Sequence, residues 1–262
     1  MHSRFAVMKC GCAMLAIVGS AAAAAKSWTL DELVDKNIQA RGGITAIHAI
    51  NSIKLTGKLL VNQGRFELAF VQTFKRPALM RQEVTLQGLT QTQAFDGKSG
   101  WQINPFEGRK DPERLPEDDV KSLAEAAADA DGALVDWKTK GVTLSYLGTE
   151  DVDGTMAHKI KLARSNGDVE YVFLDPEFFL EIRTLSQRLE HGVQLAIETD
   201  LGDYEKVNGV FLPFAIESGK KGSSDKQKFI VEKAEVNLAI DNASFAFPVR
   251  VPVPVPVAQP SK

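Results

Sequence analysis

The chain has 262 residues, 44% of them hydrophobic and 25% charged, with a net charge of −3. That length and balance suit one large β domain or two small ones, and disfavour nucleic acid and anionic membrane surfaces as partners. The only cysteines, Cys10 and Cys12, lie in a leader-like segment, so disulfides, thiolate catalysis and Cys-based metal sites are excluded from the rest of the chain.

Residues 1–25 read as a secretory signal peptide. Arg4 and Lys9 form the basic region, Cys10 to Val18 the apolar core, and Gly19 to Ala25 the small residues before cleavage, placed after Ala25 by the A-x-A pattern of Ala23 and Ala25. The apolar core is shorter than the roughly 20 residues a membrane span needs. Loss of Arg4 and Lys9 from 31 basic residues, against 34 acidic ones, moves the net charge to −5. Neither cysteine follows a cleavage point as a lipid-attachment residue would, so export to a bacterial periplasm as a soluble protein is expected.

Leu30 to Ala40 has the pattern of an amphipathic helix: Thr29 is the expected N-cap, Asp31 and Glu32 suit the positive helix start, and Gly42-Gly43 ends it. A short second helix is expected at 44–50. Strands with one apolar face follow at about 53–61, 66–75, 79–87, 90–95 and 100–103. They are broken by Asn62-Gln63-Gly64, Arg76-Pro77, Gln87-Gly88 and Asp96 to Gly100. In Phe66 to Phe74, apolar residues recur with period two at Phe66, Leu68, Phe70 and Phe74; in the next strand Met80, Val84 and Leu86 share a side.

Pro105 to Pro116 reads as a turn-rich stretch, and Glu117 to Ala130 as a helix with Val120, Leu123, Ala124 and Ala127 on one side. Strands resume at about 142–147, 158–163, 169–174, 180–189, 193–201, 210–216 and 227–238. Asp153-Gly154, Asn166-Gly167, His191-Gly192 and Asn208-Gly209 mark hairpin turns. The Val-Pro tail, 249–262, cannot join a central strand and is expected to be extended and mobile. The domain organisation is therefore a signal peptide (1–25), one β domain (26–248) and a tail (249–262). So many strands with so few helices predict a mainly β fold: a single antiparallel sheet that twist curls toward a barrel, with helices capping one concave side.

Catalytic signatures are weak. There is no H-E-x-x-H and no G-x-S-x-G. Gly97-Lys98-Ser99 reads as a hairpin turn, and the acidic run Glu117-Asp118-Asp119 as helix-start preference. His158, among strand residues, reads as structural, and His191 as a solvated turn residue. No cofactor and no metal are expected, and a binding protein is favoured over an enzyme.

Residues 30–57, "LDELVDKNIQARGGITAIHAINSIKLTG", with "GLTQTQAFDGKSGWQINPFEG" at 88–108, "ADADGALVDW" at 128–137 and the closing Phe245-Ala246-Phe247-Pro248, resemble the LolA-like outer-membrane lipoprotein-sorting family. The resemblance implies an incomplete β-barrel of about eleven strands, with an N-terminal helix and a lid helix over an apolar cavity. It also implies a monomeric periplasmic carrier of acylated lipoprotein or lipid cargo, loaded by an inner-membrane ABC transporter and unloaded to an outer-membrane receptor. Arg41, Arg76 and Arg81 are alternative positions for that family's lid-locking arginine. Greater length and the Val-Pro tail depart from the family pattern.

On this reading Phe66, Leu68, Phe70, Met80, Val84, Leu86, Trp101 and Ile103 line one cavity wall, and Tyr146, Tyr171 and Phe173 another. Val120, Leu123, Ala124 and Trp137 belong to the lid. A one-residue change of register would invert which strand face looks inward. The alternatives are a lipid or lipoprotein sensor of the same fold and a periplasmic hydrolase with a polar cluster in the cavity.

Overall fold

The computed structural model describes residues 27–190 and 192–248. The segment expected to be a signal peptide, His191 and the Val-Pro tail lie outside the described residues.

Helix α1, Leu30–Ala40, is closed at its start by a reciprocal cap: Thr29 Oγ1 accepts from the Glu32 amide at 3.3 Å, and the Glu32 carboxylate accepts from the Thr29 amide at 2.9 Å. A short α2, Ile44–His48, leads into six strands: β1 Ser52–Val61, β2 Phe66–Lys75, β3 Leu79–Leu86, β4 Leu89–Phe95, β5 Gly100–Asn104 and β6 Arg109–Arg114. Helix α3, Glu117–Ala128, follows. Seven more strands complete the fold: β7 Thr143–Val152, β8 Thr155–Ala163, β9 Val169–Leu174, β10 Glu181–Glu190, β11 Val193–Val207, β12 Val210–Lys220 and β13 Gln227–Val236.

All thirteen strands form one antiparallel sheet in the order β6-β5-β4-β3-β2-β1-β13-β12-β11-β10-β9-β8-β7. The first and last strands of the chain therefore pair in the middle, and β6 and β7 are the two free edges. The sheet curls but does not close. The segment that joins the free edges in sequence, α3 and residues 129–142, lies across the concave face.

The thirteen strands exceed the expected twelve because of β6. Its sequence, Arg-Lys-Asp-Pro-Glu-Arg, carries no apolar face and holds Pro112, so it reads as a turn. Such a strand is tolerated only at an edge, where one side needs no partner and charges discourage pairing with another molecule.

Curvature has a local cause at Gly57. The β1–β13 register shifts between Thr56 and Gly57, and a Cβ at Gly57 would lie 2.0 Å from the Ile230 carbonyl oxygen. Only glycine admits that approach.

The core lies on the concave side. Helix α1 buries Leu33 and Val34 against Leu144, Ile160, Leu162 and Val172 of β7–β9, which stabilises its docking by about 3–6 kcal/mol as an upper estimate. A second cluster joins Leu59, Leu68, Phe70 and Val84 to Leu212 and Val231 from the other half of the sheet. On the convex side, residues 237–248 run back over β1–β5. There Lys75 Nζ donates to the Ile240 carbonyl at 2.6 Å, and Trp101 Nε1 to the Phe245 carbonyl at 2.8 Å.

Candidate ligand cleft

Antiparallel register decides which side chains share a face. Phe70 opposes Val84, Gln72 opposes Gln82, and Phe74 opposes Met80, which in turn opposes Phe95. These look into the concavity. Below α3 a cleft of about 560 Å³ runs between the two halves of the sheet, within the roughly 300–1,000 Å³ of small-molecule sites. Leu55, Phe70 and Met80 form one side of its floor, Ile216, Phe229 and Val231 the other, and Leu123 and Ala126 of α3 the roof. Two adjoining hollows, of about 280 and 370 Å³, extend it toward Arg41 and α2.

The expected wall residues divide by face. Phe70 and Met80 line the cleft. Leu68 and Val84 lie on the same face within the apolar cluster of Phe70, with Leu86 packed against them. Phe66 sits on that face at the hairpin end and is 50% exposed. Trp101 and Ile103 lie on the opposite face. The turn at Asp96 to Ser99 sets Gly100 opposite Phe95, so Trp101 falls opposite Ala94 and Ile103 opposite Thr92. Trp101 is buried under the returning C-terminal segment, not in the cavity. Tyr171 and Phe173 also face outward, in a cluster with Val152 and Leu185, because Val172 between them takes the inward position.

Tyr146 lies on the concave side beneath α1, where its hydroxyl and His158 Nδ1 are 2.9 Å apart. His158 is stacked on Phe179 and edge-on to Trp28, and its burial pulls its pKa below the ordinary value. Its setting is a structural one.

In the lid, Val120, Leu123 and Ala124 pack on Met80, Phe95 and Phe74. Trp137 rests instead on the α1 cluster. The far side of α3 is polar and reaches the β8–β9 turn: Lys121 pairs with Asp168 at 2.6 Å, and Asn166 Nδ2 donates to Glu125 at 2.9 Å.

The loop after α3 is fastened by Leu134 and Val135, both fully buried in the two main clusters, and by charge. Arg41 Nη1 donates to the Asp131 carbonyl at 2.7 Å. Arg76 meets the Asp131 carboxylate at 2.9 Å, and Lys140 meets Asp131 at 2.9 Å and Asp129 at 3.2 Å. Arg164 bridges Asp129 and Glu170. Of the three arginines the sequence left open, Arg41 and Arg76 hold the lid loop. Arg81 is on the outer face, bonded to Glu83 and the Ser244 carbonyl. Burial and the neighbouring Asp129 carboxylate push Glu170 up to about 7, against the pull of Arg164.

Glu170, Arg164, Gln72 and Gln82 all face this cleft and were not singled out in sequence. Gln72 and Gln82 were detectable: each falls at the inward parity of an otherwise apolar strand face, a polar break in the period-two pattern. Arg164 and Glu170 carried no such signal, since each acquires its role from Asp129 on another element. Among the described residues, no group of three or more His, Cys, Asp and Glu side chains converges as a metal site, and no helix is long and apolar enough to cross a membrane.

A LolA superfamily protein from Nitrosomonas europaea superposes on 84% of this chain and 98% of its own, with a TM-score of 0.55 at 11% identity. The fold is the LolA-like one. A putative outer membrane lipoprotein-sorting protein domain from Vibrio parahaemolyticus shares the LolA-like architecture over 81% of this chain and 97% of its own, with a TM-score of 0.51 at 8% identity. A DUF1329 family protein from Desulfovibrio piger matches over 82% and 96%, with a TM-score of 0.52 at 10% identity. No family model and no curated protein matches the sequence. The LolA-like sheet here has thirteen strands, against the eleven or so expected from the resemblance.

Proposed function

We propose that this chain is a periplasmic carrier that shields the acyl chains of lipoproteins, or of related lipids, on their way to the outer membrane. One observation carries the reading: the concave floor of the curled sheet, with its apolar bands at Phe70, Met80, Phe229 and Val231, is roofed by a lid and left partly unfilled. Phe70 and Met80 below and Leu123 above would contact the acyl chain.

An acyl chain of sixteen carbons costs on the order of 12 kcal/mol to keep in water, at about 0.8 kcal/mol per methylene. A cavity that shelters it must also let it go. The lid supplies the means. The inner side of α3 offers only the modest apolar stripe of Val120, Leu123, Ala124 and Ala127, while the loop after it stays anchored by Leu134 and Val135 in the core and by ion pairs. Cargo would replace α3 as the cover of Met80 and Phe95, and re-forming the Arg41 and Arg76 contacts to Asp131 would favour reclosure and release. The neighbour from Vibrio parahaemolyticus, described as a putative lipoprotein-sorting domain, supports this role by analogy of fold. Loading by an inner-membrane ABC transporter and unloading to an outer-membrane receptor complete the proposal.

The test is direct. Delipidated protein is mixed with a purified triacylated lipoprotein in detergent, and the detergent is then removed. A soluble one-to-one complex is expected. Precipitation of the lipoprotein, under conditions where a known carrier keeps it soluble, would sink the carrier reading.

A further inference from the structure

Four glutamines stand in one row across the concave face. Gln72 of β2 opposes Gln82 of β3, Gln82 opposes Gln93 of β4, and Gln93 opposes Gln102 of β5, with Glu113 of β6 at the end. Gln72 Nε2 donates to Gln82 Oε1 at 3.4 Å, Gln93 Nε2 to Gln102 Oε1 at 3.3 Å, and Gln102 Nε2 to Glu113 at 2.9 Å. Among the described residues, no side-chain bond joins Gln82 to Gln93, so the row is open at its centre. An amide side chain offers two donors and two lone pairs, and the row leaves part of that capacity unused beside the cleft.

The row divides apolar bands. Phe70 and Val84 lie on one side of it, and Phe74, Met80 and Phe95 on the other. The opposite wall carries a matching stripe: Thr184 of β10 opposes Thr199 of β11, which opposes Ser218 of β12, with the Thr199 and Ser218 hydroxyls 2.8 Å apart. Both stripes reach the same cleft, at Gln72 and Gln82 and at Thr184, Thr199 and Ser218. Among the described residues, the two cations that line the cleft are already matched, Arg164 by Asp129 and Glu170, and Arg188 by Glu190 at 2.8 Å.

A bare hydrocarbon laid across these stripes would strip water from amides and hydroxyls and return no hydrogen bond, a penalty charged to the guest's affinity. An anionic head would meet carboxylates and no uncommitted guanidinium. We propose that the cleft selects an acyl lipid with an uncharged ester, amide or hydroxyl linkage, which lies on the Gln72–Gln82–Gln93 stripe while its chain fills the apolar band. This rests on the carrier reading and adds to it a polar selection: linkage-bearing acyl groups over free fatty acids.

The experiment is displacement of a cleft-bound fluorescent probe, bis-ANS, by 1-monomyristoylglycerol and by myristate, both below their aggregation limits, at pH 8. The glycerol ester is expected to bind at least tenfold more tightly. The double variant Gln72→Leu, Gln82→Leu should bring that ratio close to one while myristate affinity holds or rises. Thr199→Val on the facing wall, which is nearly isosteric, should lower the ratio as well and serves if the double variant does not fold. Equal binding of the two ligands by the wild-type protein, or a ratio unchanged in the variants, would overturn the polar selection and leave the carrier reading standing. Displacement by neither ligand would overturn both.

Discussion

Arg41 Nη1 donates to the backbone carbonyl of Asp131 across 2.7 Å, joining the end of α1 to the loop that follows the lid helix. The guanidinium is buried, and its Nη1 is also 3.9 Å from Glu181. A charge-assisted bond in such a place contributes about 1.5–3 kcal/mol. Arg41→Met is expected to lower stability by that order and to loosen the lid. Thermal unfolding measures the first effect. Faster amide hydrogen exchange at residues 126–132, with β1 and β2 unchanged, measures the second; uniform exchange across the domain would contradict a lid-specific role.

Gly132 makes the same contact possible. Its φ is +110°, and a Cβ there would stand 1.8 Å from Arg41 Nη1. Gly132→Ala is expected to destabilise the protein by roughly 1–3 kcal/mol through backbone strain, in addition to displacing Arg41. Its effect should be less than additive with Arg41→Met, because both changes act on one contact. A double-mutant cycle in urea checks this.

Glu170 gives the protein a pH signature. With its carboxyl raised from 4.5 to about 7 in the fold, the folded state holds a proton that the unfolded chain has already released. Between pH 4.5 and 7 this group's contribution to stability therefore falls as pH rises. Glu170→Gln keeps an acceptor for Arg164 and removes the titration. The variant should match the wild type near pH 4.5 and exceed it by on the order of 3 kcal/mol at pH 8. Parallel stability curves for the two proteins over that range would refute it.

Ala126 is an exposed residue of α3 that lines the cleft. Ala126→Trp places bulk in the cavity without touching the packed stripe of the helix. Stability should change by less than about 1 kcal/mol, and binding of an acyl probe should fall at least tenfold. Phe70→Ala is the contrasting change: Phe70 is 3% exposed, and its truncation should cost about 3–5 kcal/mol. Chemical denaturation and probe titration of both variants separate packing from binding.

Trp101 tests the outward assignment. Trp101→Phe removes the bond to the Phe245 carbonyl but keeps a ring beneath the C-terminal segment. A loss of about 0.5–1.5 kcal/mol is expected, with acyl-probe affinity unchanged within twofold. A large loss of affinity would place Trp101 in the binding wall after all.

Much of the fold was legible because its signals are local. The Thr29–Glu32 cap, the period-two runs from Phe66 to Leu86 and the Asn-Gly and Asp-Gly turns each act within a few residues. Strand β6 was hidden because its pairing, not its composition, makes it a strand. The inward and outward faces were only half legible. In β2 and β3 one parity is plainly apolar, so Phe70 and Met80 pointed inward. In β5 the apolar parity, Trp101 and Ile103, is the outward one, because the C-terminal segment covers Trp101; in β9 both parities are apolar, because the Val152–Leu185 cluster covers Phe173. Alternation carries no direction where both faces are buried.

The sequence by itself determined a mainly β chain with one capped amphipathic helix, one lid-length helix and more apolar strand than those helices can cover, since periodicity and turn chemistry are written in neighbouring residues. Only the tertiary structure decided that β1 meets β13, which edges stay free, and that Gln72, Thr199, Glu170 and Asp129 come to one cleft. Those relations join residues far apart in the chain, and register between distant strands is set by packing that no short window of sequence contains.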